Sequence, residues 1–466
     1  MTRYSKILWS RKALLLGVVT GSLAFAIVTL AGGFDPNLQD FPDPTGAIRT
    51  VSTTGSVDTT NPFFQSLGTN GRACISCHQP GDAWTVTPPH IQERFAATHG
   101  TDPIFRPVDG SNCPSADVST EEAREQAYSM LLNKGLIRIS LAVPANAEFE
   151  VTHVRDPHRC PETTSQQLAM FRRPLPSTNL GFLSTVMWDG RENAKGQTIL
   201  QDLAQQSKDA TTGHAQASTA PTDQQAAEIV AFEMALFTAQ SRDNAAGHLN
   251  ADGAQGGPDS LPTQPFFLGI NDPLGGNPTH APFNPNAFTI FDNWANLSES
   301  APLEEAREAV ARGQKLFNTL VIPITGVAGI NDALNQPVVM GFCTTCHDTP
   351  NSGNHSLSVP LNIGITDFPA LPPLDTEGLP VYTLVCKATG QKFRVTDPGR
   401  AMISGRCADI GKTKGPILRG LAARAPYFHN GSAASLLDVV NFYNRRFNLG
   451  LGEKQKADLV AFLGSL

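Results

Sequence analysis

Two short motifs constrain this chain more than anything else in it: Cys74-Ile75-Ser76-Cys77-His78 and Cys343-Thr344-Thr345-Cys346-His347. Each is a CxxCH. Two thiols at that spacing can add to the two vinyl groups of one porphyrin, and the histidine that follows is then held where its imidazole reaches the iron. With 8 Cys and 11 His in 466 residues, one such match arises by chance roughly 3 times in 1000, so two are a signal. A zinc knuckle would need two more ligands at comparable spacing, and the sequence offers none. The motifs predict two covalently attached c-type haems, with Cys74, Cys77, Cys343 and Cys346 as attachment points and His78 and His347 as iron ligands.

Charged residues make up only 17% of the chain and the net charge is −7. That leaves no basic footprint for nucleic acid. The 40 Gly and 35 Pro predict long loops between modest helices. Four cysteines remain. Cys113 with Cys160 and Cys386 with Cys407 would each close a loop to one side of a haem motif, as disulfides of an oxidising compartment; the other reading is four buried thiols. At the N-terminus, Arg3, Lys6, Arg11 and Lys12 precede an uncharged apolar run from Ala13 to Ala31. Residues 1–33 thus read as an export signal or as an uncleaved membrane anchor. Either way the bulk of the chain is expected outside the cytoplasm, in a bacterial periplasm.

Along the chain, residues 79–114 read as loop and carry His90 and His99, candidate second ligands for the first iron. Ser119-Thr120-Glu121-Glu122 opens a helix ending near Gly135. Alternating Ile137, Ile139, Leu141 and Val143 predict a short strand. Thr222 with Gln225 opens another helix. Residues 240–298, rich in Gly, Pro and Asn, read as an ordered insertion or a linker. Pro302 starts a helix with an inner stripe of Ala306, Val310, Gly313, Phe317 and Leu320. Ser435 with Asp438 starts one carrying Tyr443, and a last helix runs from about Glu453 to Leu463. The expected fold is mainly α: two cytochrome-c-like haem domains facing each other, residues 34–298 and 299–466, with long loops and few short strands.

Both CxxCH motifs in order, Met187-Trp188-Asp189-Gly190-Arg191 between them, and Leu418-Arg419 followed by Ala425-Pro426-Tyr427-Phe428-His429-Asn430-Gly431 resemble the bacterial di-haem cytochrome c peroxidase superfamily, which also holds the MauG enzyme of methylamine utilisation. The resemblance covers roughly residues 60–466, with a longer spacing between the motifs than in the family's short members. It implies that His78 holds the iron that meets peroxide and His347 the iron that takes in electrons. It places Tyr443 as second ligand of the latter, as in the MauG-like branch, with Met402 as the competing ligand. It makes Trp188 an aromatic lying between the haems. It sets Gln206 and, in place of the family's Glu, His214 as the groups that work on peroxide, with an exposed loop histidine as the alternative for His214. Arg191 would hold a haem propionate or brace the turn through Asp189. His429 would serve the haem surroundings or be a core histidine. A family calcium would draw on the positions of Arg173, Arg424 and Pro426, but a guanidinium in place of a side-chain oxygen argues against that ion. The implied function is reduction of hydrogen peroxide with electrons from a small cytochrome or cupredoxin. The alternatives are MauG-like oxidation of a protein or organic substrate, and a non-catalytic electron carrier. The oligomeric state has no sequence signal.

Overall fold

The helices begin where their caps put them. Thr120 Oγ1 accepts from Ala123 N at 3.1 Å and starts Glu121–Ala127. Thr222 and Ser435 start Asp223–Met234 and Leu436–Arg446 with reciprocal capping boxes to Gln225 and Asp438, satisfying donors that the first turn leaves open. Pro302 sits in the first turn of Pro302–Thr319, and the chain closes on Glu453–Gly464. The expected strand forms as Ile137–Ala142, antiparallel to Gln167–Arg172.

The computed structural model describes residues 35–264, 271–277, 282–297, 301–354, 357 and 359–466. The expected signal or anchor segment and the expected boundary between 298 and 299 lie outside them. Among the described residues no helix is long and apolar enough to cross a membrane.

The fold is not mainly α. Among the described residues nine α-helices stand beside eleven strands in four antiparallel sheets. The largest orders Asp40–Asp43, Gly46–Ser52, Leu236–Asp243 and Gly247–His248. A second pairs Phe149–Arg155 with Val381–Cys386 across about half the chain length. The strands are hard to see in sequence for a physical reason. Leu236–Asp243 is buried at five of its first six positions, so it lacks the period-2 alternation of a one-faced strand. The loop expected over 79–114 also contains a helix, Pro88–Thr98, and Thr198 with Gln201 opens a further, unexpected one, Ile199–Gly213, through a capping box.

Both expected disulfides, Cys113–Cys160 and Cys386–Cys407, are formed. The described part of the Gly/Pro/Asn-rich stretch is not spacer. Phe288, Phe291 and Trp294 are fully buried against Phe317 and Phe462. Asn318 clips the stretch to its helix, accepting from Phe288 N at 3.1 Å and donating to Phe288 O at 2.7 Å.

Helices Pro302–Thr319 and Glu453–Gly464 form the floor beneath the second CxxCH motif. They meet at Gly313, where a Cβ would fall 1.9 Å from the Asp458 carbonyl oxygen. Gly313→Ala should therefore lower stability by about 1–3 kcal/mol through overpacking, measurable as a fall in denaturant midpoint. A rise of about 1 kcal/mol, the ordinary gain of Ala over Gly in a helix, would contradict this close approach.

Candidate active site

The two motifs fold into the same local device. His78 N donates to Cys74 O at 3.0 Å and His347 N to Cys343 O at 3.0 Å, so each CxxCH is one helical turn. Within it a hydroxyl residue caps the turn: Ser76 Oγ accepts from Ala73 N at 3.1 Å and Thr345 Oγ1 from Phe342 N at 2.9 Å. Burial pushes the thiols of Cys74, Cys343 and Cys346 up to about 12, and raises that of Cys77. Burial likewise pushes His78 and His347 down to about 4, the neutral form that an iron ligand needs.

Each turn opens on its own cavity. The first has an empty volume of about 1440 Å³ and the second about 1790 Å³, open solvent at the mouths included. The charged side chains around them suit haem. Arg173 and Lys414 line both cavities and Arg424 the second. Burial pushes Arg173 and Arg424 down to about 10 and Lys414 to about 7. A buried cation of this kind calls for an anionic partner, which haem propionates would supply.

Helix Ile199–Gly213 builds one wall of the first cavity. Leu203, Gln206, Ser207, Ala210 and Thr211, with His214 at its C-terminal end, recur at helical spacing and all line it together with His78. His214 Nδ1 donates to Asp109 Oδ2, and Asp109 Oδ1 accepts from Arg72 Nη1. Burial pushes the Asp109 carboxyl up, but His214 and Arg72 outweigh it and hold it below the usual range. The carboxylate fixes the tautomer of His214 and leaves Nε2 as the free ring nitrogen. Asp109 and Arg72 escaped the sequence reading because a lone loop carboxylate carries no local pattern. Neither His90 nor His99 lines this cavity: His90 Nδ1 bonds Asp82 Oδ1 at 2.6 Å, and exposed His99 bonds Glu121.

The second cavity is more apolar. Phe317, Ile322, Ile324 and Leu361 line it with His347, and Tyr443 and His429 also face it. Met402 does not; it lies in a separate core beside Phe149 and Tyr382. Trp188 lines both cavities. Its Nε1 donates to Arg173 O at 2.7 Å, and Lys414 Nζ sits 5.8 Å from its ring centroid. His429 packs edge-on to Trp188 at 6.0 Å, and its Nε2 lies 3.5 Å from Asp397 Oδ2. Burial pushes His429 down to about 4, so that contact is not an ion pair.

Asp189 of the Trp188-Asp189-Gly190-Arg191 turn is fully buried between Arg172 Nη1 at 2.5 Å and Arg191 Nη1 at 3.0 Å. Arg191 thus braces the turn and also lines the first cavity. A calcium does not fit beside it. Arg173 itself donates to the carbonyls of Val86 at 2.8 Å, Lys134 at 3.1 Å and Arg424 at 3.0 Å. A guanidinium therefore already occupies the Arg424 oxygen.

A cytochrome-c peroxidase, IdrP2, of Denitromonas iodatirespirans is 36% identical over 141 residues, 27% of this chain and 36% of that protein. IdrP1 of the same organism is 30% identical over 191 residues, 38% of this chain and 44% of that protein. The chain resembles cytochrome-c peroxidases. These relatives support the resemblance to cytochrome-c peroxidases, and the matched stretches span less than half of either relative. No protein-family model matches the chain. A solved MauG-like protein associated with microbial copper homeostasis aligns with 87% of this chain and 86% of its own at 16% identity and a TM-score of 0.38, too distant a likeness to define the fold.

Arg172 also pairs with Asp397 at 2.7 Å. Burial pushes Asp189 and Asp397 up, but Arg172 outweighs it and both stay below the usual carboxylate range. Their stabilisation is therefore full above the unfolded value of about 4 and lost as pH falls through the lower folded values. Arg172→Met should cost about 3–5 kcal/mol at neutral pH. The gap from the parent should narrow in acid, where protonated carboxyls need no cation. Urea midpoints across pH check both; an equal gap at every pH would contradict the pairing.

Proposed function

We propose that this chain is an exported di-haem c-type peroxidase that reduces hydrogen peroxide to water with electrons from a small cytochrome or cupredoxin. In this reading residues 34–298 and 299–466 each hold one covalently attached haem. The observation that supports it best is the unequal furnishing of the two cavities. Gln206 and the Asp109–His214 pair share the first with His78, whereas Tyr443 shares the second with His347. The relatives named cytochrome-c peroxidase point the same way.

When bound, the haems would supply the redox chemistry: electrons enter at the His347 side and are used on peroxide at the His78 side. The protein's own residues do the rest. His214, its Nδ1 held by Asp109, takes a proton from one peroxide oxygen at Nε2 and returns it to the other as the O–O bond breaks. Gln206 orients the substrate by hydrogen bonding. Two electrons and two protons convert one peroxide to two waters. Trp188, in the wall of both cavities, is the aromatic step between them.

Tyr443 favours a second reading, MauG-like oxidation of a protein or organic substrate. A phenolate oxygen stabilises ferric iron relative to a thioether sulfur, and so lowers the potential of the haem that stores oxidising equivalents.

Two measurements test these readings. With reduced donor, His214→Ala should lower peroxide consumption by about 10²–10⁴-fold, and Asp109→Asn, which leaves the ring without its carboxylate, by roughly 10–100-fold. No peroxide consumption by the parent protein would end the peroxidase reading. Tyr443→Met should raise the potential of the His347 haem, within the roughly 0.8 V that axial ligands span. An unchanged potential would remove Tyr443 from the iron.

A further inference from the structure

The largest sheet has no part in the reaction above, yet its strands Gly46–Ser52 and Leu236–Asp243 carry a buried row of hydroxyls. Thr50 and Thr238 are register partners, and Thr50, Thr238 and Thr178 are all buried. Thr50 Oγ1 lies 2.9 Å from Thr238 Oγ1, which lies 2.8 Å from Thr178 Oγ1. At one end Trp84 Nε1 donates to Thr50 Oγ1 at 2.9 Å, and at the other Thr178 Oγ1 donates to Leu236 O at 3.1 Å. An indole N–H can only donate and a carbonyl can only accept. Every proton therefore finds an acceptor in one order alone: Trp84 donates to Thr50, Thr50 to Thr238, Thr238 to Thr178, and Thr178 to the backbone.

The residue so anchored is the one that holds His78. Trp84 O lies 2.9 Å from His78 Nδ1 and can only accept, so Nδ1 carries the proton and Nε2 is left for iron. Ser177 braces the contact, its N donating to Trp84 O at 3.0 Å and its Oγ lying 3.0 Å from the same Nδ1. The carbonyl reaches His78 through an unfavourable twist: Ala83 and Trp84 have φ of 53° and 59°, the left-handed region that a bulky side chain rarely enters. Such a conformation persists only where its surroundings over-determine it. Here the fully buried indole packs against Phe63 and Phe232 and is pinned at its one polar atom by the sheet. The second cavity has no counterpart, because His347 Nδ1 has no partner among the described residues.

We propose that the Thr50–Thr238 hydroxyl chain holds Trp84 in its left-handed conformation, so that the Trp84 carbonyl sets the plane and strength of the His78 ligand at the first haem. This rests on the reading that His78 ligates a haem, and it makes Thr50, Thr238 and Trp84 positioning residues. A hydrogen bond from the outer nitrogen of a ligating histidine fixes its tautomer and ring orientation and raises its basicity. Without the chain the indole N–H is buried with no acceptor, which is costly, and the backbone twist can relax by turning the carbonyl away from His78.

Resonance Raman of the ferrous holoprotein and electron paramagnetic resonance of the ferric one test this. Thr50→Val keeps the size of the side chain and removes the hydroxyl. It should lower the iron–histidine stretching frequency of the His78 haem, shift its ferric signal, and cut peroxide turnover about tenfold, the low end of the loss when an outer partner of a ligating histidine is removed. Thr238→Val, one link further away, should do the same to a lesser degree, and the double variant should go no further than Thr50→Val, since the two act in one chain. Thr50→Ser, which keeps the hydroxyl, should match the parent, and the His347 haem should not move in any variant. Folded Val variants that lose only stability, with both spectra of the His78 haem unmoved, would overturn the proposal. So would a Thr50→Ser protein as disturbed as Thr50→Val, which would make the site one of packing. The spectra do not depend on turnover, so a protein that shows these shifts but consumes no peroxide would end the peroxidase reading and leave this one standing.

Discussion

Arg172 lies wholly inside the protein between two carboxylates, Asp189 at 2.5 Å and Asp397 at 2.7 Å, and much of the wall between the cavities hangs on it. The triad joins strand Gln167–Arg172, the turn that carries Trp188, and the segment in which Asp397 accepts from Gly399 N at 2.7 Å. The next residue after Arg172 receives the Trp188 indole, and Lys414 N donates to Trp188 O at 2.8 Å. A buried ion triad adds little net stability over an apolar replacement, but it is costly to break and it fixes geometry. Here the geometry it fixes is the placement of one indole against two cavities.

On either side of that wall the chain spends its polar groups unequally. The first cavity has His214 held by Asp109, Asp109 held by Arg72, Gln206 on the same helix face, and Glu233 in its wall. The second is walled by aliphatic and aromatic side chains with Tyr443 and His347 among them. Proton transfer needs fixed donors and acceptors, whereas electron storage needs a dry, rigid enclosure. The proposed division of labour follows from this difference.

Local signals in the sequence were readable where a short-range rule governs them. The two CxxCH turns, the caps at Thr120, Thr222 and Ser435, the strand at Ile137 and both disulfides depend on residues a few positions apart or on cysteine count. The strand at Leu236 was not readable because it is buried at five of its first six positions, and the one at Val381 because its partner lies far away in sequence; without them the sequence reads as mainly α. The Ile199–Gly213 helix did leave a trace: a capping box at Thr198 and Gln201, and a stripe of Leu203, Ser207, Ala210 and Thr211. Asp109, Glu233 and Lys414 left none. A solitary ionisable residue gains meaning only from what the tertiary structure brings to it.

In the proposed function the two cavities are chemically unequal, one open to peroxide and the other closed by Tyr443. Electron paramagnetic resonance of the resting oxidised holoprotein reads this directly. The expected result is one high-spin haem, at His78, with its sixth position open, and one low-spin haem at His347. Two low-spin signals, with both irons saturated by protein ligands, would contradict it.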